Sequence, residues 1–290
     1  MIVRLNGRKH NDEQIDNVIR ELGIAKLGKL ICCRAGSKLY ANLVKEIFFQ
    51  KHDKVCVGDI RSLLSLTAIG LANRKSEFVL LDDGVASISY YRRRAEGLRS
   101  MGRPVVKALE RVLSFKLNAI TLHTLLPLNS MAGMTIEINN IDLQSLFGSA
   151  RSRPDPETAI FIGSKVVESG LCSIEYFNSV LDKFMAEFRG RNLFYVLHRD
   201  EDVEKLAAFA GITPLRLDLP LELEFGLKRS IPGAVCGFYS AGLVNFLPYR
   251  DQVKLIAYGL PLDERNSTFH QSIRAGRYLF DQVLGIHSAA

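Results

Sequence analysis

Short apolar runs alternate with helical stripes along the first half of the chain. Ile2-Val3-Arg4-Leu5 reads as a strand. Ile15, Val18, Ile19 and Leu22 follow at the three- and four-residue spacing that lines one face of a helix. Asn11 and Gln14 suit a capping pair for that helix, and Gly23 a stop. Leu30 to Cys33 repeats the strand pattern. Leu39, Leu43, Val44, Ile47 and Phe48 form a second helical stripe, and Val55-Cys56-Val57 a third strand ending at Gly58-Asp59. A helix over Leu63 to Leu71 leads into the apolar run Phe78-Val79-Leu80-Leu81. Further on, Leu109 to Leu117 reads as helix, and Ala119 to Leu122 and Met134 to Ile138 as strands. Unbroken apolar strands alternating with helices imply a parallel sheet covered on both faces.

Arg151-Ser152-Arg153-Pro154-Asp155-Pro156-Glu157 interrupts this rhythm with two prolines and several charges, and reads as a linker. The alternation then restarts. Ala159 to Ile162 is a strand followed by Gly163-Ser164, Tyr176 to Phe188 a helix, and Leu193 to Leu197 a strand ending at His198. Glu201 to Phe209 reads as helix, and Leu215 to Leu219 as a short segment before Pro220. Ala234 to Phe238 is a strand, and Ala241 to Phe246 opens another element. The pattern predicts an α/β protein of two Rossmann-like, doubly wound domains over residues 1–150 and 157–262, with a closing helix in 263–290. A ligand cleft between two such domains is the expected layout.

Composition narrows the field only a little. The 290 residues are 47% hydrophobic, ordinary for a globular protein. Cys32, Cys33, Cys56, Cys172 and Cys236 are odd in number and lack metal spacing. Most sit in apolar segments, so free core thiols in a reducing, cytoplasmic compartment are expected. The N-terminal residues are too few and too polar for a signal peptide, and no window approaches a membrane span. A net charge of +7 favours an anionic partner without choosing among them. Arg92, Arg93, Arg94, Arg99, Arg103, Lys107 and Arg111 could meet acceptor phosphates or an anionic membrane, and equally form a solvated face. No nucleic-acid-binding module accompanies them.

Candidate chemistry gathers at the ends of apolar strands. Asp82-Asp83-Gly84 follows Phe78 to Leu81 directly. A carboxylate there can take a proton from a hydroxyl nucleophile, although Asp-Gly is also a common turn pair. The imidazole of His198 can stabilise charge on a leaving phosphate, or be structural. A carboxylate beyond the Pro220 turn, Glu222 or Glu224, can hold both hydroxyls of a ribose, or be a solvated acid. Ser240, at a strand-to-helix turn, can meet a phosphate or simply cap its helix. Gly163-Ser164 offers close backbone approach, though the full Gly-x-Gly-x-x-Gly pattern is missing. None of these spacings is a metal set.

In this order the pieces resemble bacterial sialyltransferases of the GT-B architecture, in particular the lipooligosaccharide sialyltransferases and the related polysialyltransferases. Those families carry an acidic pair before glycine, a His-Pro, a Pro-x-Glu and a paired hydroxyl motif. Here the matching residues are Asp82-Asp83-Gly84, His198-Arg199, Pro220-Leu221-Glu222 and Tyr239-Ser240-Ala241. Ile162 to Glu168 also looks like the start of their donor-binding domain. The resemblance implies an inverting, metal-independent transfer of sialic acid from CMP-sialic acid to a glycan hydroxyl, of the lipooligosaccharide or capsule type. It implies Asp82 as general base, with Asp83 as a further candidate. It implies a donor site of Gly163, Ser164, His198, Glu222 and Ser240, with His198 and Ser240 on the phosphate and Glu222 on the ribose. No cofactor or metal follows from it. The resemblance implies a glycan acceptor, lipid-linked glycans among the candidates, and a cytoplasmic protein that could make peripheral contact with the inner membrane.

Two positions depart from the pattern. Arg199 replaces the proline, and Ala241 the second hydroxyl. Arg199 could compensate by pairing with a phosphate or carboxylate. Relatives also carry a strand and helix before the region matching Arg4 onward, so a shortened front is expected. Another CMP-activated ulosonic acid as donor, a non-catalytic nucleotide- or glycan-binding relative, and a protein that binds anionic surfaces are the competing readings.

Overall fold

Sheet pairing follows from where the apolar runs lie. In the computed structural model every pairing between strands is parallel. The structure describes residues 2–5, 9–26, 28–34, 36–60, 62–81, 85–97, 104–138, 154–198, 201–228, 230–261, 274, 276–284 and 288–289. Two units make up the chain: Met1–Asp12 with Ile19–Asn140, and Glu13–Val18 with Ile141–Ala290.

In the first unit β1 (Ile2–Leu5) pairs with β2 (Ile31–Arg34), and β3 (Lys54–Val57), β4 (Glu77–Leu81), β5 (Ile120–Thr124) and β6 (Met134–Ile138) form a sheet in that order. Phe78, Val79 and Leu80 of β4 are all buried, as a strand covered on both faces requires. The helices are α1 (Lys9–Glu21), α2 (Ser37–Leu43, running on as a π-turn over Val44–Phe48), α3 (Leu63–Leu71), α4 (Val85–Ala95), α5 (Pro104–Val112) and α6 (Ser114–Leu117). Helix α1 begins at Lys9, so Asn11 and Gln14 lie within it and do not cap it. The single helix expected over Leu109–Leu117 is two, because Leu113 at φ −90° and ψ 7° breaks it. The first of them starts earlier, at Pro104, whose fixed φ suits a first helical position. Cys32 and Cys56 are exposed, contrary to the expectation of core thiols. Strand β3 alternates exposed and buried residues, and Cys56 falls on its exposed side.

The second unit holds β7 (Asp155–Ile162), α7 (Ile174–Glu187), β8 (Asn192–Val196), β9 (Thr213–Leu215), α8 (Leu221–Leu223, running on as a π-turn over Glu224–Lys228), β10 (Pro232–Phe238), α9 (Ala241–Val244), β11 (Lys254–Tyr258) and β12 (Ser288–Ala289). Their order across the sheet is β12-β11-β10-β7-β8-β9. The connections run outward in one direction from β7 and in the other from β10, which makes the gap between these two strands a topological switch point. The core is aromatic. Phe161 on β7 stacks on Tyr195 at 5.5 Å and meets Phe184 and Phe238 edge-on at 5.5 and 5.6 Å.

Two expectations fail in this half, and one strand falls where none was expected. The linker does not run to Glu157, because β7 already starts at Asp155; the Asp155 amide donates to Ile231 O at 2.7 Å, and its carboxylate accepts from the Glu157 amide and the Thr158 hydroxyl. Glu201–Phe209 contains only a 3-10 turn, Val203–Leu206, in place of a helix. Strand β11, Lys254-Leu255-Ile256-Ala257-Tyr258, lies in a stretch to which the apolar pattern assigned nothing. In the segment expected to close as a helix, residues 276–278 are helical and run on as a π-turn at Leu279–Val283, followed by a two-residue strand at 288–289; 262–273, 275 and 285–287 lie outside the described residues.

Candidate functional site

Asp82, Asp83 and Gly84 come directly after β4 in the chain but lie outside the described residues, as does Arg199. The other predicted positions belong to the second unit, and sheet register brings them together. Ile162, the last residue of β7, stands opposite Val196 on β8 and Gly237 on β10. Ser164, His198 and Tyr239 each lie two residues beyond those partners. They therefore leave the sheet at one level on its carboxyl edge, on both sides of the switch point, and Ser240 is one step further.

Each is held by a local interaction. The Gly163 amide donates to Val196 O at 2.8 Å, which fixes the exit of β7 against β8. The Ser164 hydroxyl is buried and has no hydrogen-bond partner among the described residues, so it can serve a ligand. Ser240 is in extended conformation and its Oγ accepts from the Gly242 amide at 3.2 Å. It is thus the N-cap of α9, as the capping reading expects. With one turn of helix behind it, α9 offers a phosphate its own N–H groups and little macrodipole.

Glu222 lies in the first turn of α8, after Pro220 in extended conformation at φ −49° and ψ 147°. Asn245, at the end of α9, donates through Nδ2 to Glu222 Oε2 at 3.1 Å. Burial raises the Glu222 carboxyl above the usual range, against the pull of its hydrogen bonds. A Cβ on Gly242 would lie 3.1 Å from Leu221 Cδ2 and 3.2 Å from Ile162 Cδ1, so the starts of α8 and α9 meet over the end of β7. Ser164, His198 and Ser240 thus stand past strand ends on one sheet edge, and Glu222 lies beside α9 through Asn245.

Gly163 is small for a different reason from the one its sequence context suggests. A Cβ there would lie 2.2 Å from Glu201 Oε2, 2.6 Å from the Tyr195 ring and 2.7 Å from Val196 O. The room is taken by a side chain of the protein. Glu201 has a fully buried carboxylate. It accepts from the Tyr195 hydroxyl at 2.6 Å, from Lys205 Nζ at 2.5 Å and from the His198 amide at 2.7 Å. Lys205 also pairs with Glu168 at 3.1 Å and sits 4.5 Å from the Phe177 ring centre. Burial first, and the Glu201 carboxylate second, drive the Tyr195 hydroxyl far up, so it stays a donor.

The sequence reading passes over Glu201, Lys205 and Asn245. The four-residue spacing of Glu201 and Lys205 resembles an ordinary surface pair on a helix, and only the 3-10 geometry turns it inward. A separate cavity of about 410 Å³ lies along β3 in the first unit, lined by Ile2, Ile31, Glu46, His52 and Val57 among others. Among the described residues it touches none of the predicted positions. Among the described residues no group of His, Cys, Asp and Glu could hold a metal, and no helix is long and apolar enough to cross a membrane.

No protein-family model matches the chain, and no curated protein does. Among solved structures the chain is similar to an α/β-galactoside α-2,3-sialyltransferase from the luminous marine bacterium Photobacterium phosphoreum, with a TM-score of 0.53, 14% identity, and coverage of 97% of this chain and 94% of that one. At that identity the likeness shows a shared α/β fold of parallel sheets and helices.

Proposed function

We propose that this chain is a glycosyltransferase that moves sialic acid from CMP-sialic acid to a hydroxyl of a glycan acceptor, inverting the anomeric centre without a metal. One observation carries the reading: Ser164, His198 and Ser240 follow strands that end at the carboxyl edge of a parallel sheet beside its topological switch point, where folds of this kind take nucleotides, and Glu222 is tied through Asn245 to the helix that Ser240 caps. The similarity in fold to a sialyltransferase supports it.

In this reading the cytidine ribose is held by Glu222, which Asn245 orients. His198 and Ser240 donate to the phosphate, and the free Ser164 hydroxyl faces the same ligand. The acceptor hydroxyl attacks the anomeric carbon of the sugar. The bond from that carbon to the phosphate oxygen breaks, and its electron pair leaves with CMP. Donors fixed beside that oxygen are each worth about 10²- to 10³-fold in rate. The proton of the acceptor goes to Asp82, in the role the sequence resemblance gives it. The acceptor is of the lipooligosaccharide or capsule type, and the arginine-rich stretch allows contact with an anionic membrane where the acceptor is lipid-linked.

The test is CMP binding by calorimetry together with CMP-sialic acid hydrolysis, with and without a galactose-terminated acceptor and with chelator present. CMP should bind, and turnover should persist in chelator. Asp82→Asn should keep CMP affinity while turnover falls about 10²- to 10⁴-fold, the usual worth of a general base. Binding of UDP- or GDP-sugars without CMP would refute the proposal. CMP binding by the native protein without any turnover would mark it as the non-catalytic relative that Arg199 and Ala241 leave open.

A further inference from the structure

The most heavily bonded buried acid among the described residues of the second unit has no part in the chemistry above. Glu201 receives three donors, from Tyr195 on β8, from Lys205 in the 3-10 turn and from the main chain of His198. Its own amide donates to His198 O at 3.0 Å, so the two residues close a reciprocal loop. Its second carboxylate oxygen occupies the space that Gly163 leaves open. One carboxylate therefore packs over the exit of β7 and bonds Tyr195 on β8 and the main chain of His198, two residues past that strand.

We propose that Glu201 is a positioning residue for His198: through the backbone amide it fixes where the imidazole leaves the sheet edge, and so sets the contact of His198 with the ligand phosphate. The proposal rests on the reading of His198 as a phosphate donor. The geometry is selective about the side chain at 201. Donors converge on both oxygens, and a carboxylate is an acceptor at both. Glutamine would turn an N–H group towards either the His198 amide or the Tyr195–Lys205 pair, and one donor would be lost or opposed. Lys205 pairs with both Glu201 and Glu168, so a cation lies against the buried acid.

The test measures a position and a ligand effect separately. In protein labelled at histidine, the His198 ring resonances and titration should shift in Glu201→Gln relative to the native protein, with the other histidines unmoved. The ratio of CMP to cytidine affinity should fall in Glu201→Gln by about the factor seen in His198→Ala, and the double variant should fall no further. Tyr195→Phe, which removes a different donor, should lower stability and leave that ratio unchanged. An unmoved His198 resonance, or additive losses in the double variant, would overturn the proposal. If the native protein does not prefer CMP to cytidine, the phosphate reading fails, and the ring resonance alone decides whether Glu201 sets the imidazole. Should Glu201→Gln not fold, amide exchange in the native protein decides: the His198 amide should be protected although it lies beyond the last sheet residue, and free exchange there would refute the bond to Glu201.

Discussion

Glu222 shows how a buried acid can oppose stability. Its carboxyl is raised by burial, so the folded protein holds the proton more tightly than the unfolded chain does. The stabilising proton is fully present below the unfolded value and is lost as pH rises through the folded one. Ionised Glu222 is then a cost at neutral pH. Glu222→Gln should make the protein more resistant to urea at pH 7, with the difference from the native protein closing as pH falls towards 4. The same change should weaken cytidine binding, since an amide cannot accept from two ribose hydroxyls as a carboxylate can. His198 and Ser240 are candidates in the sequence because each follows a strand, whereas Glu222 is singled out from Glu224 only by the family resemblance. Glu201 is not a candidate there, because its role depends on the space over Gly163, a residue far from it along the chain.

At the scale of elements, apolar runs identify the strands well where they are unbroken, as in β4, β8 and β10. They fail where polar residues are held by pairing, as at the start of β7, and where a turn mimics helical spacing, as at Val203–Leu206. Helix α3 shows a termination that sequence does not reveal. Lys116, buried on α6, donates to the carbonyls of Ile69, Gly70 and Ala72 at 2.8, 3.1 and 2.7 Å. These are orphan acceptors at the end of α3, and an ammonium there also meets the negative end of the helix. Lys116→Met keeps the volume and removes the donor. It should lower stability in denaturant by about 1.5–3 kcal/mol, the usual worth of a bond to a charged group plus the acceptors left behind. An unchanged denaturation midpoint would show that water serves these carbonyls equally well.

For the whole molecule, the α/β class and parallel sheets are legible in the alternation of strand and helix, whereas strand order is not. Nothing local in the sequence says that β10 returns to the side of β7. The two halves also differ in thiol chemistry. Cys32 and Cys56 are exposed, while Cys172 and Cys236 are buried, with burial pushing the Cys172 thiol up to about 11. A thiol reagent applied to the native protein should modify Cys32 and Cys56 and spare Cys172 and Cys236 until the second unit unfolds, as peptide mass analysis can follow. Early modification of Cys236 would contradict the sealed aromatic core around it.

The filled hollow over Gly163 restricts what the sheet edge can hold. Many nucleotide folds leave the corresponding hollow open so that a pyrophosphate can nestle against bare main chain. Here a native acid already lodges there, clamped by a lysine and a phenol. On the proposed reading, a guest with two linked phosphates would compete with that acid for the space, whereas one with a single phosphate held at Ser240 would not.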